Sequence, residues 1–559
     1  MRATKPRAAI AALALFGIIC GAPSAFAQDA PPTELVETTP LATDAFSTGT
    51  LDPSEGALPR TLWRDTDPQT LAFLLDAAPA KPSTPSLGEA MTRTLLSPGD
   101  APLGALDLGG RKVFALARAG LVEEARTVAS LAARDSTDLW LDRAAAYADL
   151  LDQNIEQACQ RIAGLQGGRD ALFWVKLRVL CYVQAGEADA ADLTLGVLRE
   201  QGSLSDLDDV FLSFATTGVA PKSPPEPISA LHYAIVRAND FALSSSMMDN
   251  AEGGVIAAIA RDGALEPELQ ISGAMRGVAM GVVPPSLLAS VMQKLSFDPA
   301  EISAAGNTAT ERPNDPRTDA LLYQSVQEMT APEFLRDKAT RIALALSLAD
   351  SFHRAFALST LYANEIDALD GAVLTPDEAA AFALARMAVG DSVGAGRWLT
   401  SMIGVNESVA ALPERQATLF IDLVNLLAVL DPQTAAIVAR NADVSILSGA
   451  EFAAPATAQD GDPSKTAQII EAAFDAALGG KAGQAGLAAL AASEISHAGA
   501  AIRSVIVGQS LRAAGMPELQ RLYEFETAWA AWFAVAAPEL AEPEDRGFGP
   551  RIKPQPQDQ

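Results

Sequence analysis

Residues 139–165 read LWLDRAAAYADLLDQNIEQACQRIAGL, and residues 173–198 read FWVKLRVLCYVQAGEADAADLTLGVL. The two stretches are versions of one pattern. Trp140 and Trp174 lie 34 residues apart, as do Tyr147 and Cys181. In the second halves Ala158 and Ala191 lie 33 apart, and Ala125, in FALARAGLVEEARTVASLA (114–132), lies 33 before Ala158. A fixed period of this size is the mark of stacked supersecondary units. Three units therefore run from about 106 to 201, each reading helix, tight turn, helix.

Packing explains which residues recur. Two antiparallel helices in a hairpin come close where a small residue, here alanine, opens the second helix. Large residues, Trp and Tyr, fill the groove against the neighbouring hairpin. Each hairpin leaves one apolar face open, so units stack on one another.

The period, the first-helix aromatics, the turn Gly186 in QAGEADAA and the alanine after it resemble a tetratricopeptide repeat. The resemblance covers roughly 95 residues, with isolated further units at FALARMAVGDSVGAGRWL (382–399) and LRAAGMPELQRLYEFETAWA (511–530). It implies a right-handed superhelix of stacked antiparallel hairpins, a TPR-like α-solenoid, that binds other proteins. The prolines of the family's unit ends are missing, so a more generic α-solenoid stays open. In composition and repeat style the chain is also similar to the helical region of periplasmic soluble lytic transglycosylases. The glycine- and glutamine-rich active-site motif and the Ala-Tyr-Asn segment of that family are absent. Glu494 stands between Ser493 and Ile495, and no catalytic residue carries over.

Outside the repeats the chain stays rich in Ala and Leu with helical periodicity, and alternating strand signals are scarce, so the class is all-α. The reading along the chain is a signal peptide (1–27), a flexible arm (28–60), helical repeats (61–218), a helical segment (219–305) and a linker (306–319). A second repeat region (320–453), a linker (454–465), C-terminal hairpins (466–541) and a disordered tail (542–559) follow. The signal reading rests on Arg2, Lys5 and Arg7, the short apolar run from Ala8 to Cys20, and Ala25-Phe26-Ala27 as a cleavage site. Ile19 before Cys20 argues against a lipoprotein. No later segment reaches about 18 uninterrupted apolar residues, so no stable membrane insertion is expected after cleavage. The expected location is the periplasm.

Without the three basic residues of the leader, the 41 Lys and Arg become 38 against 69 acidic residues, a net charge of −31. That charge repels phosphate backbones and anionic lipid, which argues against nucleic acid and membrane surfaces as partners. The mature chain has two cysteines, Cys159 and Cys181, on facing helices of adjacent units. They read as one structural disulfide, with buried free thiols or a redox pair as the alternatives. The three histidines, His232, His353 and His497, are far apart, and no metal or cofactor motif is present.

GDSVG (390–394) fits the G-x-S-x-G nucleophile elbow, which needs a strand before the serine. The residues before it, LTPDEAAAFALARMAV, instead carry a T-x-x-E capping box at Thr375 and Glu378 and then strong helix formers. Gly390 reads as a helix stop, Asp391 or Ser392 as the next cap, and His497 as the sole histidine downstream. Phe525, Trp529, Trp532 and Phe533 form a stripe at helical spacing. It reads as the core of a terminal capping hairpin, with an exposed docking face as the alternative. The functional expectation is a non-catalytic periplasmic scaffold that binds a protein or cell-envelope component, without a cofactor. A cell-envelope enzyme with an unrecognised site, and a chaperone or assembly factor for a secreted or motility complex, are the alternatives. The partner's identity and the oligomeric state are not encoded in any motif.

Overall fold

A computed structural model describes residues 44–541 apart from 103, 105–107, 133–137, 222–225, 370–372, 404–407, 447–461 and 496–498. The expected signal peptide, the expected arm up to residue 43, the expected tail from 542 and His497 lie outside the described residues. Among the described residues the structure is all-helical and no strand is present.

The chain opens with α1 (Pro68–Ala77), α2 (Pro85–Leu96), α3 (Leu108–Ala119), α4 (Val122–Leu131), α5 (Leu139–Leu151), α6 (Ile155–Gly164), α7 (Leu172–Gln184), α8 (Ala188–Glu200) and α9 (Asp206–Thr217). It continues with α10 (Ala230–Ala238), α11 (Gly253–Arg261), α12 (Pro267–Ala279), α13 (Pro285–Met292), α14 (Pro299–Ser303), α15 (Ala305–Glu311) and α16 (Pro316–Glu328). Next come α17 (Leu335–Ser347), α18 (Phe352–Asp367), α19 (Pro376–Ala388), α20 (Ser392–Ile403), α21 (Glu414–Leu430) and α22 (Pro432–Ala442). The last are α23 (Pro463–Gly479), α24 (Ala482–Ser493), α25 (Ala500–Ala513) and α26 (Pro517–Ala541).

One local device starts seven of these helices. Asp67, Thr84, Asp298, Asp315, Thr375, Asp431 and Asp462 each precede a proline at the first helical position, and each side chain accepts from a backbone N–H of the first turn. Proline has no N–H to leave unpaired there, and the cap satisfies one of the free donors.

The three hairpins read from the sequence are present as α3–α4, α5–α6 and α7–α8, and each packs on the next. Ala125, Ala158 and Ala191 are buried at the helix crossings, as are Tyr147 and Trp174, while Trp140 is half-buried. Gly186 sits in the turn of the third hairpin with φ +75°. The sulfur atoms of Cys159 on α6 and Cys181 on α7 lie at bonding distance, 2.04 Å, which ties the second hairpin to the third. A bridge across a separation of 22 residues stabilises by about 3 kcal/mol in the chain-entropy model. Replacing both cysteines by serine should lower the urea-unfolding free energy by about that amount. Rapid labelling of both cysteines by a thiol reagent in the unreduced native protein would show that no bridge forms.

After α9 the chain doubles back. Helix α10 packs on α9 and α5, and α11 packs on α3 and α12. Helix α12 meets α18, and α18 leads to α19 and α26. Helices α24 and α26 then return to α1 and α2, so the first and last helices meet. Ser86 on α2 donates to Glu526 on α26 through Oγ (2.5 Å) and its backbone N–H (3.2 Å). Arg93 pairs with Glu518 at 2.5 Å. The N–H of Gly483 donates to the Leu62 carbonyl at 2.8 Å, so close that a Cβ on Gly483 would lie 2.4 Å from the Trp63 ring.

Three boundaries differ from the sequence reading. Within residues 44–60, expected in the flexible arm, Ala45, Phe46, Thr48 and Leu58 are buried. Phe46 is buried with its ring 5.0 Å from Trp63. Its carbonyl and that of Thr48 accept from Lys112 Nζ at 2.8 and 2.6 Å. Burial pushes the Lys112 amine down to about 7. The sparse apolar residues of this segment make no periodic face, so periodicity missed them. The expected linker 306–319 carries α15 and the start of α16. Asp315 caps α16 and Pro316 opens it, so the polar residues there mark a short turn between helices. Helix α23 begins at Pro463, inside the expected linker 454–465, because Asp462 caps it.

Candidate interaction site

The GDSVG stretch is a turn between two helices. Helix α19 starts with the expected capping box, Thr375 and Glu378, and no strand precedes Ser392. Gly390 takes φ +77°, a left-handed value that only glycine adopts without strain. Asp391 Oδ1 accepts from the N–H of Gly394 at 2.9 Å and so caps α20. Burial raises the Asp391 carboxyl, but the Gly394 N–H and Arg386, whose Nη2 lies 2.6 Å from it, outweigh burial and hold it below the usual range. Ser392 Oγ donates to Asp431 at 2.8 Å. Asp431 accepts from the Thr434 hydroxyl and N–H as well as from Ser392, which hold its carboxyl low. A carboxylate kept ionised in this way is a weak base, and it leaves the serine unactivated. His497 lies outside the described residues, and His232 is engaged elsewhere. His232 stacks on Phe211 at 4.3 Å and bonds Asp208 at 3.1 Å.

The C-terminal aromatic stripe points inward. Phe525 and Trp529 on α26 are buried, and Trp529 packs edge-on against Phe352 of α18 at 5.3 Å. Trp532 and Phe533 are half-buried. Trp532 Nε1 donates to Asp422 of α21 at 3.4 Å. These rings join α26 to α18 and α21 and present no open face at Phe525 or Trp529.

An exposed apolar surface lies on α23 and α25. These two helices flank α24, whose other side is taken by α1 and α2. Their outward faces leave Phe474 56% exposed, Leu478 89%, Ile502 57% and Val505 56%. Ile470, Phe474, Ala501, Ile502, Val505, Ile506 and Gln509 line a groove of about 380 Å³ between the two helices. Spacing explains the alignment. Ile470, Phe474 and Leu478 recur every four residues on α23. Ile502, Val505, Ile506 and Gln509 recur at three and four on α25. The groove floor is apolar. The nearest ion pair on α23, Asp475 with Lys481 at 2.8 Å, turns to α24, where Gln484 also donates to Asp475. Those two donors hold the Asp475 carboxyl below its ordinary value.

The sequence reading did not single out this groove. Its signal, IIEAAFDAALGG followed by AAIRSVIVGQS, is an apolar stripe indistinguishable from a core-facing one until both neighbours are known. Among the described residues no helix is long and apolar enough to cross a membrane, and no group of three His, Cys, Asp or Glu is placed to hold a metal ion. Comparison with known proteins finds no family model, no curated protein and no solved structure that matches this chain.

Proposed function

We propose that this chain is an exported, TPR-like helical-repeat scaffold of the periplasm that binds a partner protein without catalysing a reaction. The hairpins of residues 108–200, with alanines at their crossings and a 33- to 34-residue period, support the repeat reading. The leader and its A-x-A site support export. The observation that carries the binding role is the α23–α25 groove. Soluble proteins bury contiguous apolar side chains unless a partner covers them, and each such side chain stabilises by about 1.5–3 kcal/mol when buried. Two parallel stripes at helical spacing fit one amphipathic helix of the partner, laid with its apolar face in the groove.

The test compares the mature protein with Phe474→Asp/Ile502→Asp and with Ser392→Ala in affinity capture from solubilised envelope, followed by binding measurements on the captured protein. The wild type and Ser392→Ala should retain one stoichiometric partner with equal affinity. The groove variant should bind it at least about 30-fold more weakly. Equal capture by the groove variant rules out the groove. Hydrolysis by the wild type that disappears in Ser392→Ala would make GDSVG an active site and overturn the scaffold reading.

A further inference from the structure

The facing stripes of α3 and α5 alternate cations with rings. Arg111, Phe114 and Arg118 recur at three and four residues on α3, and Trp140, Arg143 and Tyr147 do the same on α5. The Arg143 guanidinium lies 4.3 Å from the centre of the Phe114 ring, 4.7 Å from Trp140 and 5.0 Å from Phe173 of α7. Arg111 lies 4.6 Å from the Trp140 ring and Arg118 5.7 Å from the Phe114 ring.

Three carboxylates lie at this cluster, and all are engaged. Asp138 accepts from the N–H groups of Gly110 and Trp140. Asp76 pairs with Arg111. Glu252, at the start of α11, accepts from Arg118 Nε at 3.0 Å and from the Tyr147 hydroxyl. Arg143 has neither an ion pair nor a hydrogen bond among the described residues, and its Nε is buried without a partner. The residue is half-buried, so its Nη groups are not sealed from solvent. Burial, and then Arg118, push this guanidinium down to about 10. Arg111 and Arg118 each have a carboxylate partner and Arg143 has none, in a chain whose net charge is −28.

We propose that Arg143 anchors a binding site for a small apolar monocarboxylate. The three rings hold the guanidinium plane fixed, which suits the two-pronged geometry of a carboxylate. The single unpartnered guanidinium suits a monoanion, because Asp76, Asp138 and Glu252 repel a second negative charge. The rings of Trp140 and Phe173, both half-buried, offer apolar surface to the rest of the ligand. The site is separate from the α23–α25 groove and stands or falls independently of it.

The experiment titrates the full mature protein with benzoate, with its neutral isostere benzamide and with phenyl phosphate, following heat uptake and tryptophan fluorescence. Benzoate should bind saturably at one site, at least tenfold more tightly than benzamide and more tightly than phenyl phosphate. Arg143→Met should abolish that binding, and Arg143→Lys, which keeps the charge and the fold but loses the fork, should weaken it. Circular dichroism and thermal melting of both variants separate loss of the site from loss of the fold. Benzoate binding that survives in a folded Arg143→Met, or no preference over benzamide, overturns the proposal. Tighter phenyl phosphate binding overturns the choice of a monocarboxylate.

Discussion

Replacing Arg354 by methionine should destabilise the protein by about 3–5 kcal/mol, the range found when one partner of a buried ion pair is removed. Arg354 on α18 holds Asp319 on α16 with two bonds, Nε to Oδ2 at 3.1 Å and Nη2 to Oδ1 at 2.8 Å. The same guanidinium donates to the carbonyls of Leu348 at 2.8 Å and Pro313 at 2.6 Å. The side chains are only 9% and 3% exposed. Burial pushes the Asp319 carboxyl up to about 6 even with Arg354 opposing it. Without the guanidinium, a carboxylate and two carbonyls are left buried and unpaired. Urea unfolding at pH 7 measures the effect. A double variant, Asp319→Leu/Arg354→Met, removes both charges and should recover much of the loss. A single-variant loss below about 1 kcal/mol would show that this pair does not hold α16 to α18.

Glu526→Gln should make the protein more stable than wild type at pH 8 and leave it nearly unchanged at pH 4. Glu526 is buried where α26 meets α2, and burial pushes its carboxyl from 4.5 up to about 7 against the opposing bonds from Ser86 and Thr84. A raised carboxyl pKa means that the folded state holds its proton more tightly than the unfolded chain. The stability this confers is complete below about pH 4.5 and is lost as pH rises through about 7. The difference between pH 4 and pH 8 is about 3 kcal/mol. Lys112 works with the opposite sign. Its amine is pushed down to about 7 from 10.5, so its contribution grows as pH rises from about 7 to 10.5. Subtracting the Glu526→Gln stability profile from the wild-type profile isolates the carboxyl. A flat difference from pH 4 to pH 8 would mean that Glu526 is not buried between α2 and α26.

Much of the fold was legible because its signals are local. The capping box at Thr375 and Glu378 and the stop at Gly390 settle the GDSVG stretch within twenty residues, and the structure has the same turn. The 33- to 34-residue spacing of alanines and aromatics located three hairpins and placed Cys159 opposite Cys181. The interaction groove was not legible. Ile470 and Phe474 have the same spacing as Ile469 and Ala473, yet the latter pair is buried and Phe474 is open. A stripe records that a helix has an apolar face. It does not record whether another helix arrives to cover that face.

The sequence by itself determined the helical class, the starts and stops of individual helices and the pairing of neighbours in hairpins. Caps, turns and hairpin contacts all act across a few residues to a few tens, so the pattern that causes them lies within one window. Only the tertiary structure decided that Lys112 clamps the carbonyls of Phe46 and Thr48, that α2 meets α26 across 440 residues through Ser86 and Glu526, and that the glycines of α24 are points of close packing. Gly483 against Trp63 and Gly486 against Thr94 show the reason. A glycine in a helix allows another element to approach closely, and which element comes depends on how the intervening helices stack.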